Sequence, residues 1–540
     1  MLHEDDIRSL RDDPEAMEQA YQDALRAGDA KAFEEAVDAS YAEATDDPLL
    51  AAWHYRLAYA AAVASERLIA WEWALPLALI NGALLWLLSD DTQFALQVTN
   101  PLTGSSHQIM PLVLLLAAPV SAIVAMVFLE GAGKRRWSHV AAIAIGIAAL
   151  TLYVVGVYPR LGPEVYQEQY LALMTAHLAA ASWFGVGWLL TGRDAGDQDR
   201  FGYLAKSLDL AVVGGLFAVV GGLFVAMTFA LFSALGVDMP LVVSRLFVAG
   251  GAGAIGMIAL AVVYDPGVSP SEQEFEVGFS KLVSTLMRLL LPLSAIVLLV
   301  YLAFIPFNFR EPFENREVLI TFNAMLFAVV ALIVGATPVH GRRVGSEIQI
   351  WLRRAVMMLA ALAVLVGLYA LAAIAYRTAI DRLTPNRLDF IGWNIINIGL
   401  LAWLAVSLVR RDTADWLDAV HGTYSRWIAP YAAWTVLMIL ALPWLFGIDQ
   451  GDVSQLPNSV QEIVYEQPYP VLLKCTGSPH IYLLDEGEKR WIEDIPTFDS
   501  RGYQWADVRF VPCEDLASVP DGTPIPEDAG VPPVPVDLTD

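Results

Sequence analysis

The sequence contains little charge and almost no cysteine. Only 17% of its 540 residues are charged and only 2 are cysteine, whereas about 25% of the residues of soluble proteins carry a charge. Hydrophobic residues make up 56% of the chain, and apolar runs of roughly 20 residues recur through its middle. This composition excludes an ordinary soluble protein and indicates a chain that crosses a membrane several times.

Positive charge is also scarce, with 33 basic residues against 58 acidic ones. The excess acids lie at the two ends: residues 1–67 hold 16 acids and 6 bases, and residues 447–540 hold 18 acids and 5 bases. Binding to nucleic acid needs clustered Lys and Arg, so we expect no nucleic-acid partner. The acidic ends also argue against docking on anionic lipid.

Enzyme motifs are missing. The chain has no phosphate-binding Gly-x-x-x-x-Gly-Lys-Ser/Thr, no His-Glu-x-x-His and no Gly-x-Ser-x-Gly. Its 8 histidines are scattered, without metal-ligand spacing. We therefore predict no catalytic residue, metal or cofactor. An intramembrane enzyme built from residues on separate helices stays open as an alternative.

Eleven apolar stretches are each long enough to cross about 30 Å of hydrocarbon as a helix. They lie near 68–88, 110–129, 139–158, 168–190, 206–235, 241–264, 282–306, 317–336, 352–376, 387–409 and 427–446. They predict an all-α polytopic protein whose transmembrane domain covers residues 68–446 in a lipid bilayer. Before the last span, Trp416, Val420 and Tyr424 share one helical face, which predicts a separate amphipathic helix on the membrane surface.

The loops between spans predict the orientation. One alternate set carries 14 Lys and Arg, and the other carries 7. The richer set belongs in the cytoplasm, which places the amino terminus inside and the carboxyl terminus outside. Both cysteines, Cys475 and Cys513, lie in the carboxyl-terminal tail, as expected of a disulfide in an oxidising compartment. The alternative is two free thiols in a cytoplasmic domain.

The amino-terminal segment, residues 1–67, is predicted to form cytoplasmic helices. Asp13-Pro14 is a helix start signal, with Asp as N-cap and Pro at the first helical position. Asp46-Asp47-Pro48 repeats Asp12-Asp13-Pro14 after 34 residues, the period of helical-pair repeats. A module that binds a protein partner is one interpretation of this repeat. The alternative is a helical hairpin that only leads into the membrane.

Polar residues inside the spans are candidate functional residues because burying them in lipid is costly. Asn81, His177, Asn394 and Asn397 lie within the first, fourth and tenth spans. They are candidates for the lining of a polar cavity; the alternative is hydrogen bonding between helices. Nearer the span ends, Lys206 and Asp209 are one turn apart, which predicts an ion pair.

Small residues at four-residue spacing predict close helix packing in the fifth and sixth spans. They are Gly214, Ala218 and Gly222 in one span, and Gly250 and Ala254 in the next.

The turn Leu383-Thr384-Pro385-Asn386-Arg387 resembles a motif of the bacterial membrane family called domain of unknown function 4153. That family typically shows Tyr-Gly-Leu-Thr-Pro-x-Arg, and this chain has Asp381-Arg382 in place of Tyr-Gly. Phe279-Ser280-Lys281-Leu282, before a span that ends at Ile305-Pro306-Phe307, is also similar. The resemblance covers roughly residues 170–445 and implies a polytopic inner-membrane protein of no established activity.

Three arginines on the outer side depart from the usual charge rule. Arg377, Arg382 and Arg387 are candidates for an anion or lipid-headgroup site. The alternative is ion pairing with Asp381 and Asp389 or with the acidic tail. Thr384 or Asn386 is expected to cap the tenth span.

The tail is predicted to hold a linker over 447–467, a small β-rich domain over 468–519 and a Pro-rich disordered end over 520–540. Strands are expected at 471–473, 481–484, 489–492 and 509–511. The pattern is similar to small modules of bacterial exported proteins, although Glu488 adds one residue after Gly487. The aromatic residues are candidates for either the domain core or a glycan-binding surface: Tyr482, Trp491, Tyr503 and Trp505.

Two functions are compatible with this organisation. The first is a membrane scaffold or signalling component that connects a cytoplasmic partner on residues 1–67 to an envelope or glycan ligand on the tail. The second is a transporter or channel-like protein with a polar path between the first, fourth and tenth spans.

Overall fold

The structure is a computed structural model. It describes residues 7, 10, 13–27, 30–64, 69–99, 106–134, 136–160, 164–275, 277–314, 316–340, 346–380, 383–446, 455–466, 471–485, 487–526 and 528–536. The chain divides into two compact units, Met1–Ala70 and Trp71–Asp540.

The amino-terminal unit is a small helical module with its own core. Its helices are α1 (Pro14–Ala27), α2 (Ala30–Glu43) and α3 (Pro48–Ala64). Asp13 and Asp47 each accept two backbone N–H groups of the helix that follows, which confirms the repeated start signal. Its core includes Met17, Phe33, Leu50 and Trp53.

In the described part of the chain, eleven helices are long and apolar enough to cross a membrane, which confirms the all-α polytopic class. They are α4 (Trp71–Leu88), α5 (Leu112–Ala132), α6 (Trp137–Val157), α7 (Glu164–Thr191), α8 (Asp197–Ala234), α9 (Leu241–Val263), α10 (Gly278–Phe304), α12 (Arg316–Ala336), α13 (Ser346–Ile380), α14 (Pro385–Arg410) and α15 (Trp416–Phe446). A short helix, α11 (Glu311–Glu314), precedes α12.

Both ends of α14 are bonded to side chains. Thr384 is the N-cap residue: its side chain accepts the backbone N–H of Arg387 at 3.3 Å, and Pro385 opens the helix. At the other end, Arg353 of α13 donates to the carbonyl oxygens of Leu408 and Arg411, at 2.7 and 3.0 Å. A guanidinium at this position complements the negative end of the helix dipole.

The surface helix predicted before the last span is absent as a separate element. Trp416 begins α15, which continues without interruption to Phe446. Trp416, Val420 and Tyr424 are buried in the core formed by the second half of the transmembrane domain. The amphipathic pattern is therefore the packing face of a long helix and not a membrane anchor.

A short hairpin, which the sequence pattern does not predict, joins the first two spans. Strands β1 (Ala95–Thr99) and β2 (Ser106–Pro111) pair antiparallel. Leu96 packs into a cluster with Leu115 and Tyr170. The Tyr158 hydroxyl donates to the Gln97 carbonyl oxygen at 3.1 Å. The hairpin is thereby attached to spans α5, α6 and α7.

The tail folds as a small β-rich domain. Strands β3 (Val471–Cys475), β4 (Ile481–Asp485), β5 (Glu488–Ile492) and β6 (Val508–Val511) form a sheet in the order β5-β4-β3-β6, with β6 parallel to β3. Its helices are α16 (Asn458–Glu466), α17 (Ile495–Ser500) and α18 (Cys513–Ser518). Cys475 and Cys513 form a disulfide, with Cα atoms 4.8 Å apart.

The domain is larger than its predicted limits on both sides. Residues 458–466, predicted as linker, form α16, whose Val460 and Val464 lie in the core of the domain. Residues 520–526, predicted as disordered, run beside β5: the Ile525 N–H donates to the Trp491 carbonyl oxygen at 2.7 Å, and the Ile525 side chain is buried. Backbone pairing and burial offset the low hydrophobic content of this segment.

Candidate functional site

A histidine and an aspartate face each other in the interior of the transmembrane domain. His177 of α7 and Asp389 of α14 are 2% and 5% exposed, and Nε2 of His177 lies 3.2 Å from Oδ1 of Asp389. Nδ1 of His177 is 2.9 Å from the Leu173 carbonyl oxygen, which only accepts, so Nδ1 carries a proton.

The two facing atoms are close but do not form a hydrogen bond: neither Nε2 of His177 nor Oδ1 of Asp389 has a hydrogen-bond partner among the described residues. With Nδ1 protonated, a neutral imidazole would present the lone pair of Nε2 to the carboxylate, which is repulsive. One more proton, on His177 or on Asp389, makes the contact attractive. An ion pair or a shared proton is the usual condition for burying such groups in a membrane interior.

The other predicted polar residues of α14 bond locally. The side-chain amides of Asn394 and Asn397 each donate to the carbonyl oxygen four residues earlier, both at 2.9 Å. Asn397 Oδ1 also accepts the Tyr431 hydroxyl of α15 at 2.5 Å. Trp393 stands between the two groups, with its ring 5.9 Å from that of His177 and 5.7 Å from that of Tyr431. The oxygen of the Asn394 amide is buried without a hydrogen bond.

Asn81 makes its bonds elsewhere. It donates to the Gly253 carbonyl oxygen of α9 at 2.9 Å and to the Ser121 hydroxyl of α5 at 3.0 Å. His177, Asn394 and Asn397 are not among the residues around the cavity that Asn81 borders. From the sequence, Asp389 is expected to pair with one of the nearby arginines and not with His177. No sequence pattern identifies Tyr431 or Ser121.

The cavity beside Asn81 has a volume of about 310 Å³ and lies between α4, α5, α7, α8 and α9. Its wall is largely apolar, with alanines and leucines from the five helices. The polar side chains in the wall include Asn81, Ser182, Tyr203, Lys206 and Tyr264.

The ion pair predicted at the start of α8 is present in the wall of this cavity. Nζ of Lys206 is 3.2 Å from Oδ2 of Asp209 and 2.8 Å from the Ser280 hydroxyl, and it also donates to the Glu274 carbonyl oxygen. Lys206 is 3% exposed and Asp209 6%. Three acceptors satisfy the three protons of the ammonium group.

The small residues predicted for helix packing have different surroundings. A Cβ added to Gly82 of α4 would meet the Gly250 carbonyl oxygen at 2.7 Å and the Ala254 Cβ at 3.6 Å, so α9 lies directly against α4. A Cβ added to Gly214 would lie 3.8 Å from the Cβ of Ala259 on α9. On α8, Ala218 and Gly222 are exposed and face no other described helix.

Of the three arginines predicted as an anion or headgroup site, two lie at neighbouring helix ends. Arg387 Nη1 is 3.5 Å from the Arg377 carbonyl oxygen. Arg382 lies outside the described residues. Arg377 lies in the last turn of α13, and Arg387 lies in the first turn of α14.

The tail aromatics divide between the core and the surface. Tyr482 and Tyr503 are buried in two separate clusters, and Trp491 packs against the cluster that contains Tyr482. Trp505 is 53% exposed and lies 4.9 Å from the Phe498 ring. A ligand surface on this domain would therefore centre on Trp505 and not on all four rings.

Comparison of the chain with protein-family models, curated proteins and solved structures found no match.

Proposed function

We propose that this protein is a multi-pass membrane scaffold or signalling component that connects a cytoplasmic protein partner to a ligand in the bacterial envelope. Its amino-terminal helices bind the partner from the inside, and its disulfide-linked tail domain faces the outside of the inner membrane. We also propose membership of the domain of unknown function 4153 family, on the motif at Leu383–Arg387.

The observation that carries this proposal is the presence of a folded module at each end of the membrane domain. The amino-terminal helices have a core of their own around Phe33 and Trp53. The tail has a second core and a disulfide. Two ordered modules outside the spans supply the binding surfaces that such a link requires.

The interior of the membrane domain supports the same conclusion. Several intramembrane polar side chains bond across helices, as Asn397 does with Tyr431 and Asn81 with Ser121. Such bonds hold helices together in lipid. They favour a scaffold over a polar path between the first, fourth and tenth spans.

Cysteine labelling in whole cells tests the orientation. Gln22→Cys on the amino-terminal module and Thr523→Cys on the tail each add one free thiol to a chain whose own cysteines are paired. A membrane-impermeant maleimide should label Thr523→Cys in cells with a permeabilised outer membrane, and Gln22→Cys only after lysis. Labelling of both thiols in unlysed cells, or of neither, would eliminate a link across the membrane.

Photo-crosslinking then tests the link itself. Photoreactive residues replace Tyr55, which is 64% exposed, and Trp505; lipid-facing Phe224 is the matched control. We expect discrete protein adducts from Tyr55, envelope adducts from Trp505 and only lipid adducts from Phe224. The scaffold proposal would be contradicted if the probes at Tyr55 and Trp505 both gave only lipid adducts, as at Phe224, or gave no adducts.

A second candidate, transport, is favoured by the His177–Asp389 pair alone, because it places two titratable groups 3.2 Å apart and buried inside the membrane domain. Purified protein in liposomes with a pH-sensitive dye inside the lumen would test proton movement. Flux in the wild type that His177→Ala and Asp389→Asn both abolish would favour transport over the scaffold. Equal dye signals from the wild type, the variants and empty liposomes would eliminate proton transport.

A further inference from the structure

The tail domain carries an extended, Pro-rich segment after the strand-like stretch that runs beside β5. Residues 531–536 read Val-Pro-Pro-Val-Pro-Val and belong to no helix or strand. Each proline fixes its own φ angle at about −65° and keeps the residue before it out of helical geometry. Residues 531–535 are therefore all restricted, which favours a polyproline II conformation with a repeat of about three residues.

Burial along this segment follows the same repeat. Val531 and Val534 are 90% and 68% exposed, whereas Pro535 is buried and Pro532 is half-buried. Val531 and Val534 therefore share the outer side, and Pro532 and Pro535 share the side that faces the domain. Val is among the residues most often buried in proteins. Residues 531–536, here called the Pro-rich ridge, thus present an apolar strip to the surroundings.

The ridge is attached to the domain at defined points. The Tyr482 side chain is 0% exposed, and its hydroxyl donates to the Pro533 carbonyl oxygen at 2.5 Å. Upstream, the Ala529 N–H donates to the Pro526 carbonyl oxygen at 3.1 Å. Gly530 follows this turn with a φ angle of +94°, which L side chains rarely adopt. A segment held in this way has less conformational entropy to lose when it binds a partner.

The chemistry of the ridge matches one kind of protein surface. Polyproline II segments dock in grooves that are lined by aromatic side chains. Around the ridge, residues 527–540 contain four acidic residues and no Lys or Arg. A groove with Lys or Arg at its rim is therefore complementary to this segment in charge.

The same negative charge disfavours two other surfaces as a cover for the ridge. Residues 447–540 hold 18 acids and 5 bases, so the tails of two copies of this chain repel each other. Anionic lipid headgroups attract basic segments and repel this one. A basic protein groove is the surface that these charges favour.

We propose that the Pro-rich ridge is the docking site for a protein partner with an aromatic-lined groove and Lys or Arg at its rim. Val531 and Val534 enter the groove, and the exposed carboxylate of Asp528 contacts the rim. The proposal goes beyond the proposed function, because the ridge has the same chemistry on either side of the membrane.

Photo-crosslinking of the full-length protein in cells tests this docking. A photoreactive residue replaces Val531, Val534 or, as the matched control, Phe510, which is 63% exposed on the same domain. We expect Val531 and Val534 to give an adduct with the same protein, and Phe510 not to give it. Peptide mass spectrometry of the adduct should place the crosslink in a partner segment that contains aromatic and basic residues.

Two substitutions and a matched control make the test specific. With the photoreactive residue at Val531, Val534→Asp puts a charge on the outer side and should reduce the adduct at least about tenfold, because burying an unpaired charge is costly. Asp528→Lys should reduce it about threefold through repulsion from the basic rim. Gln504→Asp adds a carboxylate at an exposed position outside the ridge and should leave the adduct unchanged. Limited proteolysis of the tail should be the same in all three variants, since each changed side chain is exposed.

Three results would overturn the proposal. The first is that Val531 and Val534 give only lipid adducts, only a second copy of this chain, or no adduct. The second is an adduct that Val534→Asp does not reduce, or that Asp528→Lys does not reduce. The third is a crosslinked partner segment without aromatic residues.

Failure of the scaffold has a different signature. If Thr523→Cys were labelled only after lysis, the link across the membrane would be eliminated, while the ridge adduct and its dependence on Val534 would remain.

Discussion

Gly82 of α4 approaches Gly250 of α9 so closely that a Cβ on Gly82 would stand 2.7 Å from the Gly250 carbonyl oxygen. Gly253, one turn further, would place a Cβ 3.0 Å from the Asn81 carbonyl oxygen. The side-chain amide of Asn81 donates across the same contact to the Gly253 carbonyl oxygen. In lipid, where apolar side chains gain little from contact with one another, such close backbone packing and interhelical hydrogen bonds hold helices together.

Gly82→Ala is expected to destabilise the protein by about 1–3 kcal/mol, because the added methyl group meets backbone that cannot move aside cheaply. The loss should appear although Ala favours helix over Gly by about 1 kcal/mol. Thermal unfolding in nanodiscs measures it. Gly222→Ala on α8, where an added Cβ meets nothing within 4 Å, is the control and should not lose stability. Equal effects of the two substitutions would show that the close contact is not formed.

Removing one member of the His177–Asp389 pair should cost about 3–5 kcal/mol, because the remaining group stays buried without its partner. His177→Phe and Asp389→Leu are compared by thermal unfolding in nanodiscs. The double variant should recover most of the loss, since neither charge then remains in the interior. If the double variant lost as much stability as the two single variants together, a direct interaction would be contradicted, because changes in unfolding free energy add for independent sites.

The disulfide should stabilise the tail domain by about 3–4 kcal/mol, since it closes a loop with a sequence separation of 38 residues. Limited proteolysis of the full-length protein measures this through the cleavage rate of the tail. The Cys475→Ala and Cys513→Ala double variant and the reduced wild type should both be cleaved faster. If lysates blocked with a thiol reagent contained both cysteines as free thiols, the exported location of the tail would be contradicted.

The tail should lose stability on acidification through His480. Burial, assisted by the nearby Lys474 ammonium, lowers the pKa of His480 below its ordinary value of 6.5. As the pH falls below 6.5, the unfolded tail takes up the proton before the folded tail does, so the folded state loses free energy until the folded-state pKa is passed.

Hydrogen–deuterium exchange of strands β3 to β5 in the full-length protein measures this loss at neutral and mildly acidic pH. His480→Gln, which does not titrate, should remove the pH-dependent part and leave the remaining stability intact. Exchange that accelerates equally in both proteins on acidification would assign the effect to other groups.

The elements that the sequence predicted well are those specified by local chemistry. Asp13 and Asp47 cap helices because Asp followed by Pro provides an N–H acceptor and a preset φ angle at adjacent positions. Thr384 caps α14 for the same reason. Patterns whose partners lie far along the chain were less informative. Trp416, Val420 and Tyr424 show one apolar face, and only the fold decides whether that face contacts lipid or core.

By itself, the sequence determined the membrane class, the eleven apolar spans and the strands of the tail, because hydrophobic length and alternation are properties of consecutive residues. Only the tertiary structure decided that Asp389 faces His177, that Tyr431 bonds Asn397 and that Asn81 lies apart from them beside the cavity. These contacts depend on helix neighbours and rotation in the bundle, and a single apolar span carries too little polar pattern to specify either.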